Sequence, residues 1–256
     1  MIARAVPMIF VLAMASAPAP AWAERLVTSV SKHRVMVTSN FVGEDLVLFG
    51  SVERDAASIA RRGRYDIVVT VTGPRRTFVT RRKERRLGIW LNVESREFVD
   101  VPAFLAVLAN RPIDRIASPE VRRRLQLGLP SFSLPQQASS NAVPGDAFRQ
   151  AFVRINEQHL LYQQSDNAVT FLTPNLFRSA IALPAAAPIG TYNVDVKLLA
   201  DGAMIARTTS AFEVVKAGFE QVVAEAAHQQ PFLYGLLTAL MALVTGWLAS
   251  VIFRRD

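Results

Sequence analysis

The sequence contains no cysteine. That excludes a disulfide framework, a thiolate nucleophile and any Cys-ligated metal, so a folded body has to be held by its core alone. Histidine is scarce, with only His33, His159 and His228. None of them stands in an H-x-x-x-H or H-E-x-x-H pattern, which leaves zinc without a local ligand pair. There is no G-x-x-x-x-G-K-[ST] phosphate loop, no G-x-G-x-x-G after a strand and no G-x-S-x-G elbow. Carboxylates are scattered: Glu44 with Asp45, and Glu94 with Glu97, read as solvated turn or strand-edge groups rather than a paired acid and base. A Ser-His-Asp site is assembled in space, so spacing alone leaves it open. The expectation is a protein that is not an enzyme and carries no cofactor and no metal.

What is present begins at the two ends. Residues 232–253, FLYGLLTALMALVTGWLASVIF, carry no charge. About 22 residues of helix span about 33 Å, enough for a hydrocarbon core of about 30 Å. Arg254 and Arg255 follow it. Residues 1–23 have one early cation (Arg4), an apolar stretch and Ala21-Trp22-Ala23, the layout of a cleaved signal peptide that would leave Glu24 as the new N-terminus. A cleaved signal sends the body outward, and the terminal helix then stops transfer with its arginines inside. The expected location is the bacterial inner membrane: single-pass, body in the periplasm, C-terminus in the cytoplasm. Export of the body removes nucleic acid as a partner and leaves the lipid bilayer and an integral membrane protein.

The body, 24–211, reads as mainly β. Residues 34–38, 45–52 and 65–72 are strand-like, the last half-buried with Ile67, Val69 and Val71 on one face. Gly73-Pro74 ends it, and 76–80 is expected to return as its hairpin partner. Residues 88–93 form another strand, with Trp90 as a core candidate. The middle turns helical around 102–163: a short apolar segment at 102–110, a helix opened by Ser118-Pro119-Glu120, and a third with Phe148, Ala151, Phe152 and Ile155 on one face. Residues 131–145 suit an exposed linker. Strands resume at 169–172 and 176–183. Tyr192, Val194, Val196 and Leu198 then alternate with polar residues before Asp201-Gly202, a strong hairpin signal. Residues 212–230, with Phe212, Val215, Phe219 and Val222 at helical spacing, read as an amphipathic juxtamembrane helix ending at Pro231. Together these give an α+β body dominated by strands, an immunoglobulin-like β-sandwich with a helical insertion, plus one C-terminal transmembrane helix. Two small domains joined at 131–145 are the alternative.

Two features outside the core carry a functional hint. The chain has 29 Lys/Arg against 21 Asp/Glu, and the excess lies in the N-terminal half. Its densest point is Arg81, Arg82, Lys83, Arg85 and Arg86, interrupted only by Glu84. These five are candidate contacts for an anion or an acidic partner; a solvated hairpin turn protecting an edge strand is the plainer reading. In the spanning segment Gly235, Ala239, Ala242, Gly246 and Ser250 form a stripe of small residues, a candidate helix–helix contact.

The order of these features resembles a known family. SNFVGEDLVLFG at 39–50, YDIVVTVTGP at 65–74, RRKERRLGIWLN at 81–92, FRQAFVRINEQHLLY at 148–162, LFRSAIALPAAAPIGTYNVDV at 176–196 and YGLLTALMALVTGWLA at 234–249 resemble the alphaproteobacterial transmembrane protein family Alph_Pro_TM. The resemblance implies an envelope protein with this signal, body and anchor layout and offers no catalytic residues. The reading of the whole chain is a membrane-anchored periplasmic accessory or binding protein, a subunit or partner of an inner-membrane complex such as a transporter. Its rivals are an envelope enzyme with a site assembled from scattered residues, and a structural protein that binds lipid or cell wall.

Overall fold

The computed structural model describes residues 24–54, 64–137, 147–218, 227–228 and 230–252. The signal-peptide reading of 1–23 and the arginine pair at 254–255 lie outside those residues. Thirteen strands occupy the described body: β1 Glu24–Val30, β2 Arg34–Val37, β3 Gly43–Arg54, β4 Tyr65–Thr72, β5 Arg75–Arg86, β6 Ile89–Pro102, β7 Leu105–Ala109, β8 Gln136–Gln137, β9 Tyr162–Ser165, β10 Val169–Phe171, β11 Leu176–Pro184, β12 Gly190–Ala200 and β13 Ala203–Lys216. Helices α1 (Ile113–Ile116), α2 (Pro119–Leu125) and α3 (Ala147–Gln158) lie between β7 and β9, and α4 (Pro231–Ile252) follows the strands. The protein is mainly β with one apolar helix near its end, as expected from its strand patterns and its last apolar run.

The strands form a sheet ordered β1-β3-β11-β10, a second ordered β2-β13-β12-β4-β7-β9, and a third, β5-β6-β8. The first two bury their facing sides in one core. Leu46, Leu48, Val52, Phe177 and Ile181 come from one sheet, and Ile67, Val69, Val71, Val194, Val196 and Leu198 from the other. Alternation puts these residues at every second position of their strands, so each strand gives one face to the core. The tight turn Asp201-Gly202 joins β12 to β13 with both residues at positive φ, +50° and +79°, the conformation that an Asp-Gly hairpin favours. β2 runs parallel to the far end of β13, and Tyr192, early in β12, donates its hydroxyl to the Pro188 carbonyl at 2.7 Å. Burial holds the Tyr192 and Tyr162 phenols above their ordinary pKa.

A second core lies on the other side of the six-stranded sheet. Val68 and Leu199, with Leu105, Val107 and Ala109 of β7, meet Phe98 and Val101 of β6, Ile113 and Ile116 of α1, and Phe148 and Phe152 of α3. Phe98 stacks on Phe152 at 4.4 Å, and the Tyr162 hydroxyl donates to the Pro102 carbonyl at 2.8 Å. The two cores share β4, β7 and β12. β4 is therefore buried on both faces along most of its length, not half-buried as its alternation suggested. The buried carboxylate Asp66 on β4, 1 % exposed, is satisfied by Arg111, Nε to Oδ1 at 2.5 Å, with Arg111 Nη2 on Oδ2. That hydrogen bond raises the arginine pKa against the cost of desolvation.

Several expectations are corrected. The apolar segment 102–110 is strand, not helix: all five residues of β7 are buried and paired between β4 and β9. Residues 212–216 continue β13, where Phe212 and Val214 are buried and Glu213 is exposed; 219–226, the rest of the expected amphipathic helix, lie outside the described residues. Residues 76–80 pair with β6 rather than with β4, because both edges of β4 are taken by β12 and β7. Phe132 and Leu134, inside the expected linker, are buried in the second core. The Ser118 cap is as expected: its hydroxyl accepts from the Val121 N–H, with Pro119 at the first helical position.

Candidate functional site

β5 and β6 make one long hairpin. Its turn is Leu87-Gly88, at φ +51° and +88°, the doubly left-handed geometry that two-residue hairpin loops require. The base is anchored in the second core, where Phe98 and Val101 are buried. The distal half is exposed, with Leu87 at 104 % and Trp90 at 68 % of full accessibility. Trp90 is therefore not a core residue. Its strand was long enough to reach past the core, which periodicity could not show.

The five candidate cations all lie on β5, not in the turn. Strand alternation splits them. Arg82, Glu84 and Arg86 point to the same side as Phe78, which packs toward α3. Glu84 and Glu94 are on that side too: Arg82 reaches Glu84 at 2.9 Å and Glu94 at 3.5 Å, and Arg86 reaches Glu84 at 3.3 Å, whereas Glu97, opposite Val79, lies on the other face without an ion pair to a described residue. Arg96 joins them, 3.3 Å from Glu94 and lying over the Phe148 ring at 5.5 Å. Arg81, Lys83 and Arg85 occupy the opposite side, and none of the three is in an ion pair with a described residue. Arg85 donates to the Gly88 carbonyl at 3.4 Å. The β6 residues across from this row are Ser95, Asn92 and Trp90. One face of the hairpin thus carries an ion-paired network. The other is an exposed row of three cations ending at an indole.

Sequence reading counted the cations but did not separate the faces, and it missed the apolar tip of Leu87, Ile89 and Trp90. The signal was available: RRKERR on a strand puts Arg81, Lys83 and Arg85 two residues apart, with the lone acid off their face. On α4, Gly235, Ala239, Ala242, Gly246 and Ser250 fall within about 80° of one another on an ideal helix. A side chain added at Gly235 or Gly246 would meet no described atom within 4 Å. Neither glycine of the stripe is packed against a described residue. All three histidines are exposed, and among the described residues no three His, Asp or Glu side chains come together to hold a metal.

The sequence profile of a family described as "Putative transmembrane protein (Alph_Pro_TM)" matches residues 25–255. The chain belongs to this family. The match takes in both sheets, the hairpin and α4, so the family's transmembrane character falls on the one described helix long and apolar enough to span a bilayer, at 231–250. No curated protein matches the chain. This Alph_Pro_TM chain is therefore a membrane-associated protein, and what it does has to be argued from its surface.

Proposed function

We propose that this is a membrane-tethered accessory protein, not an enzyme, whose body presents the free face of the β5–β6 hairpin to an integral membrane partner such as a transporter. In this reading it is a single-pass protein of the bacterial inner membrane, with a signal peptide at 1–23, a periplasmic body and a cytoplasmic C-terminus. The body is an immunoglobulin-like sandwich. Support for that comes from the strand order, the parallel pairing of β2 with β13, and the Tyr192 hydroxyl turned back onto Pro188. The observation that carries the function is the row of Arg81, Lys83 and Arg85, left without carboxylate partners among the described residues on a hairpin where Arg82, Arg86 and Arg96 are ion-paired. Uncompensated cations in a row suit an acidic surface, and the contact should weaken with salt. The small-residue stripe on α4 suits the same partner inside the bilayer.

A second reading has its own observation. Leu87, Ile89 and Trp90 are exposed beside the cations, and an apolar tip ringed by positive charge also suits an anionic lipid surface, at about 1 kcal/mol per cation. A photo-crosslinking residue at position 83, in the full chain in its native membranes, separates the two. The partner reading expects a discrete protein adduct that fades as salt rises and is absent when the probe stands at position 84. Adducts with lipid alone would hand the hairpin to the second reading; no adduct from either position would sink both.

A further inference from the structure

The outer face of the six-stranded sheet is only partly covered by the second core. Beyond β7, three rows of side chains cross β4, β12 and β13 on that face: Val68, Lys197 and Arg207; Thr70, Asp195 and Thr209; Thr72, Asn193 and Ala211. Lys197 and Arg207 of the first row, the whole second row, and Thr72 and Asn193 of the third floor a cleft of about 360 Å³, and Arg124 of α2 and Arg75 at the start of β5 stand in its walls. The size is that of a small-molecule pocket.

Its charge is one-sided. Arg75, Arg124, Lys197 and Arg207 line the cleft against a single lining carboxylate, Asp195. Asp195 holds two of them, Lys197 and, at 2.6 Å, Arg207. Arg75 is held from outside the cleft by Asp100 at 3.2 Å. Arg124 is exposed and has no ion pair with a described residue. Lys197 is only 6 % exposed, a charge the fold keeps under the sheet surface rather than releasing to water, which is costly unless something balances it. Beside it Thr70, 3 % exposed, lines the same cleft with its hydroxyl unpartnered among the described residues. Buried hydroxyls are normally satisfied, so an orphan in a polar cleft marks where a ligand atom belongs.

The geometry points to a binding site for a small soluble oxyanion bearing at least two charges, a phosphate or a polycarboxylate, received by Arg124, Lys197 and Arg207 with the Thr70 hydroxyl as a fourth donor. The cations supply charge-assisted hydrogen bonds, and Asp195 keeps Lys197 and Arg207 in place while the cleft is empty. The site shares no residue with the free face of the hairpin and stands whether or not that face docks a partner.

The test is thermal unfolding of the full detergent-solubilised chain, titrated with inorganic phosphate and, separately, citrate, at ionic strength fixed with chloride. A saturable rise in melting temperature with at least one of the two anions is expected, because a ligand that binds only the folded state stabilises it. Arg124→Gln changes an exposed helix residue and should fold normally, yet weaken the response at least about tenfold. Thr70→Val, which keeps the shape of the side chain, should weaken it by a smaller factor. Charge removal on the hairpin, with Arg81, Lys83 and Arg85 all changed to Gln, should leave it unchanged. The site is refuted if neither anion gives a saturable shift, if Arg124→Gln responds like the parent, or if the hairpin variant abolishes the response.

Discussion

Gly50 stands between Leu48 and Val52 on the core-facing side of β3, paired with Thr28 on β1 and Phe177 on β11. Local propensity predicts that Gly50→Ala stabilises the strand by about 0.5–1 kcal/mol, since alanine loses less backbone entropy on folding. The backbone there is not left-handed, so an alanine meets no torsional obstacle. Packing predicts the opposite. A Cβ at position 50 would stand 2.1, 2.6 and 2.8 Å from three atoms of the Phe177 ring, well inside van der Waals contact. The ring is fully buried and has Phe171 beside it at 6.1 Å, so it cannot swing into solvent. Overfilling a close-packed core costs about 1–3 kcal/mol. The net expectation is a loss of about 0.5–2 kcal/mol, or a fall in melting temperature of about 2–6 °C for a body of this size. Circular dichroism at the strand band, on the full chain in detergent, reads it; Trp90 and Trp247 do not, because both are exposed. Phe177→Leu in the same chain should relieve the clash, so the double variant is more stable than the two single losses predict, with a coupling of about 0.5–3 kcal/mol. A Gly50→Ala protein that melts at or above the parent, or a cycle that adds without coupling, would refute the claim that the aromatic ring fills the space the glycine leaves.

Alkaline pH should act through the buried phenols. The folded pKa of Tyr192 is raised, so its contribution is complete below the ordinary tyrosine value of about 10 and is lost as pH climbs through the raised value; Tyr192→Phe should be less stable near neutrality by about 1 kcal/mol and show a shallower decline above pH 10, and parallel curves would contradict it. Topology is checked by reporter fusion: alkaline phosphatase joined after Gly218, so that β13 is kept whole, should be active, and joined after Asp256 inactive, whereas the reverse pattern would overturn the body-out orientation.

How far the sequence could be read depends on how local each signal is. The Asp201-Gly202 turn, the Ser118 cap and the apolar run of α4 are short-range and were legible. β7 was not, because LAVLA is buried on both faces and a continuous apolar run has no periodicity to tell strand from helix. Its identity comes from β4 and β9, which are distant in sequence and pair on either side of it. The same applies at 212–216. Phe212 and Val215 fit a helical spacing, but Phe212 and Val214 fit a strand, and pairing with β12 on one side and with β2, about 180 residues earlier in the chain, on the other decides between them.

The hairpin shows why a charge cluster cannot be read as a site from composition alone. Its distal ladder shifts between Arg82 and Lys83, where Val93 on β6 is the extra residue without a partner on β5. The insertion leaves the alternation of β5 intact, so Arg81, Lys83 and Arg85 stay together and the Glu84 carboxylate stays on the other face. What it changes is β6 beyond the bulge. In a regular ladder Trp90 would stand opposite Arg86, on the ion-paired face; the bulge brings it opposite Arg85, at the end of the free cationic row. A one-residue irregularity therefore joins an indole to three cations that have no ion pair with a described residue. Neither the count of arginines nor the propensity of the segment contains that pairing, because it depends on the register between two strands rather than on either one.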